Sequence, residues 1–358
     1  MKLLHNFSGL CNIYSFLLTS APDFAENATF FEKKCEKVWK IYQICLPLQC
    51  TIKVVHYYTL INIYNEHQQN RIMIQIQNIS YKYAGADSLV FDGLSLSLEE
   101  NRIYGLLGRN GVGKSTLLYL MAGLLRPAKG TILIDGREPR RREPDLLQEI
   151  YFVPDEFTFP SLTVRRYVDR YAPFYPRFSH EVLNACLKDF EIDMDGRLDG
   201  FSLGQKKRVM VSFALATQCR VLLMDEPTNG LDIPAKVLFR KMVARHIGEG
   251  QTILISTHQV YDVDALLDHV IVLGRLEQQE GSGSKKGKGD VVLFDRSLAD
   301  LTEEYAFVYR SVGEDCSDAV YSEPTPQGHA LIVKNEDGQE TTVRMELLFN
   351  AVVKGFVK

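Results

Sequence analysis

Long apolar runs are missing from this sequence. The best stretch, Tyr42 to Tyr64, is broken by Gln43, Gln49, Lys53 and His56, whereas a membrane-spanning helix needs roughly 20 mostly apolar residues. No span is therefore expected. An excess of positive charge is missing too. A net charge of −4 argues against a protein that holds nucleic acid by bulk electrostatics. Cysteine is sparse: the seven residues are an odd number without paired metal-ligand spacing, which disfavours a disulfide framework and a zinc site alike. Cys11, Cys35, Cys45 and Cys50 lie near the N-terminus, and free thiols in a reducing compartment are expected. There is no internal repeat.

What is present is room for one large domain and an appendage in 358 residues. Residues 1–72 hold the one tryptophan, Trp39, and show no sustained helical or strand period. They read as an atypical N-terminal extension, disordered or not native. At Met73 the character changes, because Met73-Ile-Gln-Ile-Gln-Asn-Ile-Ser-Tyr alternates as a half-buried strand does. Met73 is accordingly expected to be the true start. From 73 to 275, strand and helix signals alternate. Ile103 to Leu107, Arg220 to Met224 and Thr252 to Ser256 are short apolar runs of the kind buried parallel strands give. An α/β layered core follows, with a helical insertion over about residues 144–215. Residues 276–295 read as a flexible basic loop, Glu280 to Asp290, followed by a strand. Residues 296–358 read as a small α+β tail, with strands predicted at Ala330-Leu-Ile-Val-Lys and Glu340-Thr-Thr-Val-Arg.

Gly108-Arg-Asn110-Gly111-Val-Gly113-Lys114-Ser115 has the spacing of a phosphate-binding loop, between a strand-like and a helix-like run. Glycine lets backbone N–H groups converge on phosphate oxygens without a Cβ in the way. The following helix N-terminus adds partial positive charge. In such a loop Lys114 reaches the β- and γ-phosphates, the Ser115 hydroxyl is a ligand for Mg²⁺, and Thr116 adds a hydroxyl to a phosphate. The loop alone implies only nucleoside triphosphate binding.

Val221-Leu-Leu-Met-Asp225-Glu226-Pro227 is an apolar strand ending in two acids. Asp225 is placed to hold Mg²⁺ through its water shell. Glu226 is the candidate general base for an attacking water.

At this point the chain resembles the ATP-binding subunits of ABC transporters, over roughly Met73 to Arg275. The motifs fall in the family's order. Phe201-Ser202-Leu-Gly204-Gln205 resembles the signature and is followed by Lys206-Lys-Arg208. Asn229-Gly-Leu-Asp232 resembles the D-loop. Ser256-Thr-His258 resembles the switch histidine. Tyr83 resembles the aromatic that stacks on adenine. The resemblance implies a P-loop NTPase core of mostly parallel strands with an antiparallel β subdomain and a helical insertion. It implies ATP and Mg²⁺ as cofactors, and Glu226 and His258 as catalytic residues. It also implies a head-to-tail pair, a homodimer or a pairing with a second ATP-binding chain, in which Ser202 and Gly204 address the γ-phosphate across the interface. The partner implied is a membrane permease on a separate chain, with this chain peripheral on the cytoplasmic face. No nucleic acid is expected.

Two positions depart from the family. Asp155, in Tyr151-Phe-Val-Pro-Asp155-Glu, stands where glutamine is usual in the loop facing the membrane partner. Leu203 stands where the signature usually has glycine, and a backbone that still contacts nucleotide there needs a φ open to a Cβ-bearing residue. These departures, Phe174-Tyr-Pro-Arg-Phe178 and the C-terminal tail resemble the branch of stand-alone ATP-binding subunits of bacterial exporters. The rival reading is a soluble ABC ATPase with a regulatory or translation-related role. Ribosome-acting members usually carry two nucleotide domains, and one phosphate loop is present here. DNA-repair members need a long coiled coil, and Ser115 to Ser202 has no sustained heptads. A module without turnover would have no need of Glu226.

Overall fold

The computed structural model describes residues 71–274 and 291–357. The expected N-terminal extension lies outside these residues but for its last two, as does the whole of the basic loop. Along the described chain run β1 (Ile72–Tyr81), β2 (Phe91–Glu99), β3 (Ile103–Leu107), α1 (Lys114–Met121), β4 (Lys129–Ile134) and β5 (Ile150–Val153). Then come α2 (Val164–Tyr171), α3 (His180–Asp189), α4 (Leu203–Ala216), β6 (Val221–Asp225), α5 (Ile233–His246), β7 (Thr252–Thr257) and β8 (His269–Gly274). Beyond the undescribed segment follow β9 (Val291–Ser297), α6 (Leu298–Glu304), β10 (Tyr305–Ser311), β11 (Ala319–Thr325), β12 (Gly328–Lys334) and α7 (Met345–Val353).

A six-stranded sheet in the order β5-β6-β7-β3-β8-β9 forms the centre. Its strands are parallel except β9, which runs antiparallel to β8. Every residue of β3, β6 and β7 is buried. A parallel strand covered on both faces favours apolar residues along its length, which is why Ile103–Leu107, residues 221–224 and residues 253–255 read as apolar runs, with the buried polar residues Asp225, Thr252, Ser256 and Thr257 only at the strand ends. A second sheet, β2-β1-β4, is antiparallel. In β2 the alternation is plain: Leu94, Leu96 and Leu98 point inward and Ser95 and Ser97 outward. The α/β class, with mostly parallel strands and an antiparallel sheet, agrees with the expectation.

The hydrophobic core lies on both faces of the central sheet. Tyr104 and Leu106 of β3 pack toward the antiparallel sheet and α1 with Ile76, Leu96 and Leu117. Ile103 and Leu107 face the other way, toward Phe213 of α4 and Phe239 of α5. Ile150–Val153, inside the stretch predicted as a helical insertion, is instead the edge strand beside β6. The helices α2 and α3 follow it. Four residues are too few to show a strand period among helical neighbours.

In the tail, β10-β12-β11 is an antiparallel sheet. Ala330–Lys334 lies in β12 as predicted. Glu340–Arg344 does not form a strand. There the Thr341 hydroxyl, not a backbone carbonyl, accepts the Phe307 N–H at 3.0 Å, so a side chain occupies a ladder position of β10.

Register places the site. Leu107 of β3 pairs with Thr257 of β7, and Asp225 of β6 pairs with Ser256. Three neighbouring strands therefore end in one row, and the loops beginning at Gly108, Glu226 and His258 leave the sheet side by side. Crevices at the carboxyl ends of parallel strands are where ligands bind in such sheets.

Candidate functional site

Two glycines of the loop between β3 and α1, Gly108 and Gly113, have no room for a Cβ. Gly113 has φ +88°, and a Cβ there would sit 2.7 Å from both Phe91 and Val90. At Gly108 a Cβ would meet Val112 at 2.6 Å and the Leu273 carbonyl at 2.9 Å. Gly111 is also in the left-handed region, at φ +83°. Lys114 folds back over the loop, donating to the carbonyls of Gly108 at 2.8 Å and Arg109 at 3.3 Å. Burial pushes its ammonium pKa down, against the opposing pull of Glu226 and Asp225. The loop lysine and the acid pair thus share one electrostatic field. Ser115 is exposed. Asn110 lines a cavity of about 240 Å³ with Gly108, Arg109, Thr257, His258 and Phe349.

Asp225 is buried and accepts a hydrogen bond from the Ser256 hydroxyl. Glu226 turns sharply out of β6 with φ +45°, a left-handed conformation that costs a non-glycine residue about 1 kcal/mol or more. Its N–H donates to the Ser256 carbonyl at 3.0 Å, which holds the turn. The carboxylate is held at both oxygens. Oε1 accepts the His258 backbone N–H at 3.0 Å and lies 2.7 Å from His258 Nδ1, while Oε2 accepts from Thr257 Oγ1 at 3.2 Å. The Gln259 amide nitrogen stands 3.4 Å from His258 Nε2. The Nδ1–H tautomer of neutral histidine satisfies both contacts.

No group of three or more His, Cys, Asp or Glu among the described residues is arranged to hold a metal by itself. The donors near the loop, the Ser115 hydroxyl and the Asp225 carboxylate, are hard oxygens. They suit an ion such as Mg²⁺ that keeps water and phosphate ligands.

The signature segment begins α4. Ser202 is its N-cap, and a capping box ties Ser202 to Gln205: Ser202 Oγ accepts Gln205 N–H at 3.2 Å, and Gln205 Oε1 accepts Ser202 N–H at 3.0 Å. Leu203 has no positive φ, so the departure from glycine carries no backbone strain. Gly204 lies close to the next loop, where a Cβ would come within 3.0 Å of the Gly230 carbonyl. Asp232 caps α5 by accepting Ala235 N–H at 3.1 Å, and it also takes a bond from Arg208 at 2.9 Å.

The predicted residues thus fall into two groups within this one chain. The phosphate loop, Asp225, Glu226 and His258 come together at the strand ends. Ser202 and Gln205 bond to each other. Tyr83 is tied to the first group through Thr116: its hydroxyl is 2.9 Å from Thr116 Oγ1, and its ring is edge-on to Tyr81. The Asp155 carboxylate faces Asn229 Nδ2 at 3.1 Å and Lys207 Nζ at 3.4 Å. Sequence reasoning gave no role to Lys207, Ser256 or Thr257. Their partners are distant in sequence, and only the last two sat inside a motif that drew attention.

Residues 91–229 match the family model described as ABC transporter. The chain is similar to the ABC transporter ATP-binding protein NatA of Bacillus subtilis (strain 168), 33% identical over 187 residues, or 50% of this chain and 76% of that protein. It is similar to the SkfA peptide export ATP-binding protein SkfE of the same organism, 31% identical over 217 residues, or 58% of this chain and 88% of that one. A solved structure described as the ATP-binding subunit of an ABC transporter superposes with a TM-score of 0.54 at 22% identity, covering 64% of this chain and 91% of that chain. That likeness is one of fold.

Proposed function

This chain belongs to the ABC transporter ATP-binding family and is an ATPase, and from that premise we propose that it works as a Mg²⁺-dependent, head-to-tail pair that powers export through a permease carried on a separate chain. The observation that carries the reading is the Glu226 carboxylate, held by His258 and Thr257 at the strand end beside Lys114.

In this reading each group has one task. The glycine loop and Lys114 bind the triphosphate, and Ser115 and Asp225 would hold Mg²⁺, which supplies charge neutralisation there. Glu226 takes the proton of the attacking water. His258, fixed in its tautomer by Glu226 and Gln259, donates or accepts at a set position. Tyr83 stacks on adenine. Ser202, Gly204 and Gln205 complete the site of the other subunit, in keeping with a signature whose polar groups bond to one another here and with the helix N-terminus behind them.

Pairing is supported by the surface beside the signature. Leu203 and Ile233 are 60% and 80% exposed, and apolar side chains at that level gain by being covered. A permease is supported by the cleft of about 500 Å³ next to β5, lined by Leu124, Phe152, Phe174 and Tyr175. It adjoins the strand that runs into Asp155. Among the described residues no helix is long and apolar enough to cross a membrane. Export as the direction follows the peptide-export relative.

Purification from gently solubilised membranes of the native source, with a tag on the C-terminus, tests the proposal. A multi-span permease is expected in the eluate. Recovery only from the soluble fraction, with ribosomal proteins or alone, would overturn the transport reading and leave the ATPase in place.

A further inference from the structure

The Asp155 carboxylate is one link of a closed polar ring. Its Oδ1 accepts from Asn229 Nδ2 at 3.1 Å and lies 3.4 Å from Lys207 Nζ. Lys207 adjoins Arg208 on α4, and Arg208 donates to Asp232 at 2.9 Å. Asp232 and Asn229 belong to the same loop between β6 and α5, which closes the ring. Three segments are joined in this way: the loop after β5, the start of the helix capped by Ser202, and the loop after the acid pair.

Lys207 is the buried member of the ring, with 1% of its side chain exposed. Its ammonium has three donors, and three oxygens meet them: the Asp155 carbonyl at 3.0 Å, the Pro154 carbonyl at 3.4 Å and Asp155 Oδ1. The Phe157 ring lies 5.5 Å from the nitrogen, at cation–π range. Burial disfavours this charge, and Asp155, then Asp225 and Glu226, oppose that. The ammonium therefore sits in the field of all three carboxylates.

We infer that Lys207 is a positioning residue for hydrolysis: it neutralises Asp155 beside the nucleotide site and ties the loop after β5 to the signature helix, so that displacement of that loop reaches Ser202 and Asn229 together. An unpaired acid at this position would repel the triphosphate. Paired with Lys207, it does not. The inference rests on the reading of the site as an ATP site.

A double-mutant cycle tests it on the full chain, with equilibrium Mg·ATP binding and steady-state phosphate release as readouts. Lys207→Met is expected to weaken Mg·ATP binding roughly tenfold, because a carboxylate near the phosphates loses its counter-charge. Adding Asp155→Asn removes that charge and is expected to bring affinity back to within about threefold of wild type. Lys207→Arg keeps the charge and is expected to hold affinity within about threefold while lowering turnover, since its planar fork fits the three oxygens differently. Equal affinities for wild type and Lys207→Met, or a double variant as weak as Lys207→Met, would overturn the inference. Should Lys207→Met fail to fold, Asp155→Asn alone decides. It is expected to change affinity less than about twofold while turnover falls, and a tenfold tightening would mean that the carboxylate was never neutralised. A wild-type chain that binds no Mg·ATP overturns the site reading itself. A wild type that binds, with no dependence on Lys207, overturns this inference alone.

Discussion

His258 Nδ1 lies 2.7 Å from Glu226 Oε1, the oxygen that also accepts the His258 backbone N–H at 3.0 Å. The two residues leave different strands, β6 and β7, and the parallel register of those strands brings them together. The carboxylate is aimed by the histidine before any substrate arrives. It can act as a base only while the segment after β7 stays in place.

The first prediction concerns that pair. Glu226→Gln keeps the shape and removes the base. Turnover is expected to fall by about 10² or more, while ATP affinity changes little, since Lys114 and the glycine loop are untouched. His258→Ala is expected to lower turnover by about 10–10², because Glu226 loses its imidazole partner while the backbone N–H at 258 and the Thr257 hydroxyl still hold it. Steady-state phosphate release and equilibrium binding separate the two effects. A parallel loss of affinity in both variants would count against the assignment.

Asp155→Gln is a different kind of change. The substituted amide can still accept from Asn229 and Lys207, but it removes the one carboxylate hydrogen-bonded to the Lys207 ammonium. The ATPase rate is expected to change by about fivefold or more, and ATP affinity by less than about threefold. Equal rates with a large loss of affinity would contradict this.

How far the sequence reaches can be followed residue by residue. β3, β6 and β7 are legible because strands buried on both faces leave continuous apolar runs. The glycine loop is legible because its chemistry is local. β5 is not, since four residues carry no period. The left-handed turn at Glu226 leaves no mark in a Met-Asp-Glu-Pro string either. Lys207 reads as one charge in a basic triplet, and its partners Pro154 and Asp155 lie more than fifty positions away. Glu340–Arg344 alternates like a strand, yet its threonine hydroxyl takes the hydrogen bond that a strand's carbonyl would have taken. Apart from one short strand and one backbone turn, what escaped is long-range pairing, which periodicity does not encode.

Leu203→Asp tests the pairing proposal without harming the single chain. Leu203 is the first residue of α4 and is 60% exposed. An acid in the first turn of a helix stabilises it by about 0.3–1 kcal/mol through the helix dipole, so the melting temperature is expected to hold or rise slightly. In a head-to-tail pair the same acid would lie beside a γ-phosphate and replace an apolar contact. The ATP-dependent dimer, trapped in a Glu226→Gln background and followed by light scattering, is expected to be lost. A dimer of undiminished stability would argue that this face is not the interface.

Arg220 carries a stability prediction with a defined pH dependence. It donates to Asp135 at 2.7 Å and to the buried Glu100 at 2.8 Å, pinning the turns of the antiparallel sheet to the start of β6. Burial alone would raise the Asp135 pKa, but the Arg220 hydrogen bond and charge, with help from Arg71, bring it below its ordinary value of 3.8. A carboxyl depressed on folding contributes stability above its unfolded pKa and loses it as pH falls through the folded value. Arg220→Met is expected to cost about 2 kcal/mol near neutral pH, between the values for exposed and fully buried pairs. The gap from wild type is expected to narrow as pH falls below about 4, because Asp135 protonates first in the variant and only at lower pH in wild type, where Arg220 holds its pKa down. Denaturant melts at pH 7 and pH 3.5 check this. A gap independent of pH would mean that Arg220 acts through packing alone.

Tyr83 and Thr116 set the last prediction. Their hydroxyl oxygens are 2.9 Å apart, and Tyr83 is 41% exposed with its ring edge-on to Tyr81 at 5.0 Å. Thr116 is thereby engaged by the residue proposed to stack on adenine. A nucleotide that takes the Thr116 hydroxyl at a phosphate and the Tyr83 ring at its base competes with this bond. Tyr83→Phe keeps the ring and removes the bond, so ATP affinity is expected to stay equal or to rise by up to about fivefold, the value of one hydrogen bond released. Tyr83→Ala removes the stacking surface as well, and a loss of roughly tenfold is expected, as for other base–aromatic contacts. Isothermal titration with ATP and with inorganic triphosphate distinguishes the two contributions. Triphosphate has no base, so it is expected to respond to Tyr83→Phe and Tyr83→Ala alike. If instead triphosphate affinity falls in Tyr83→Ala as far as ATP affinity does, Tyr83 supports the phosphate loop rather than the adenine.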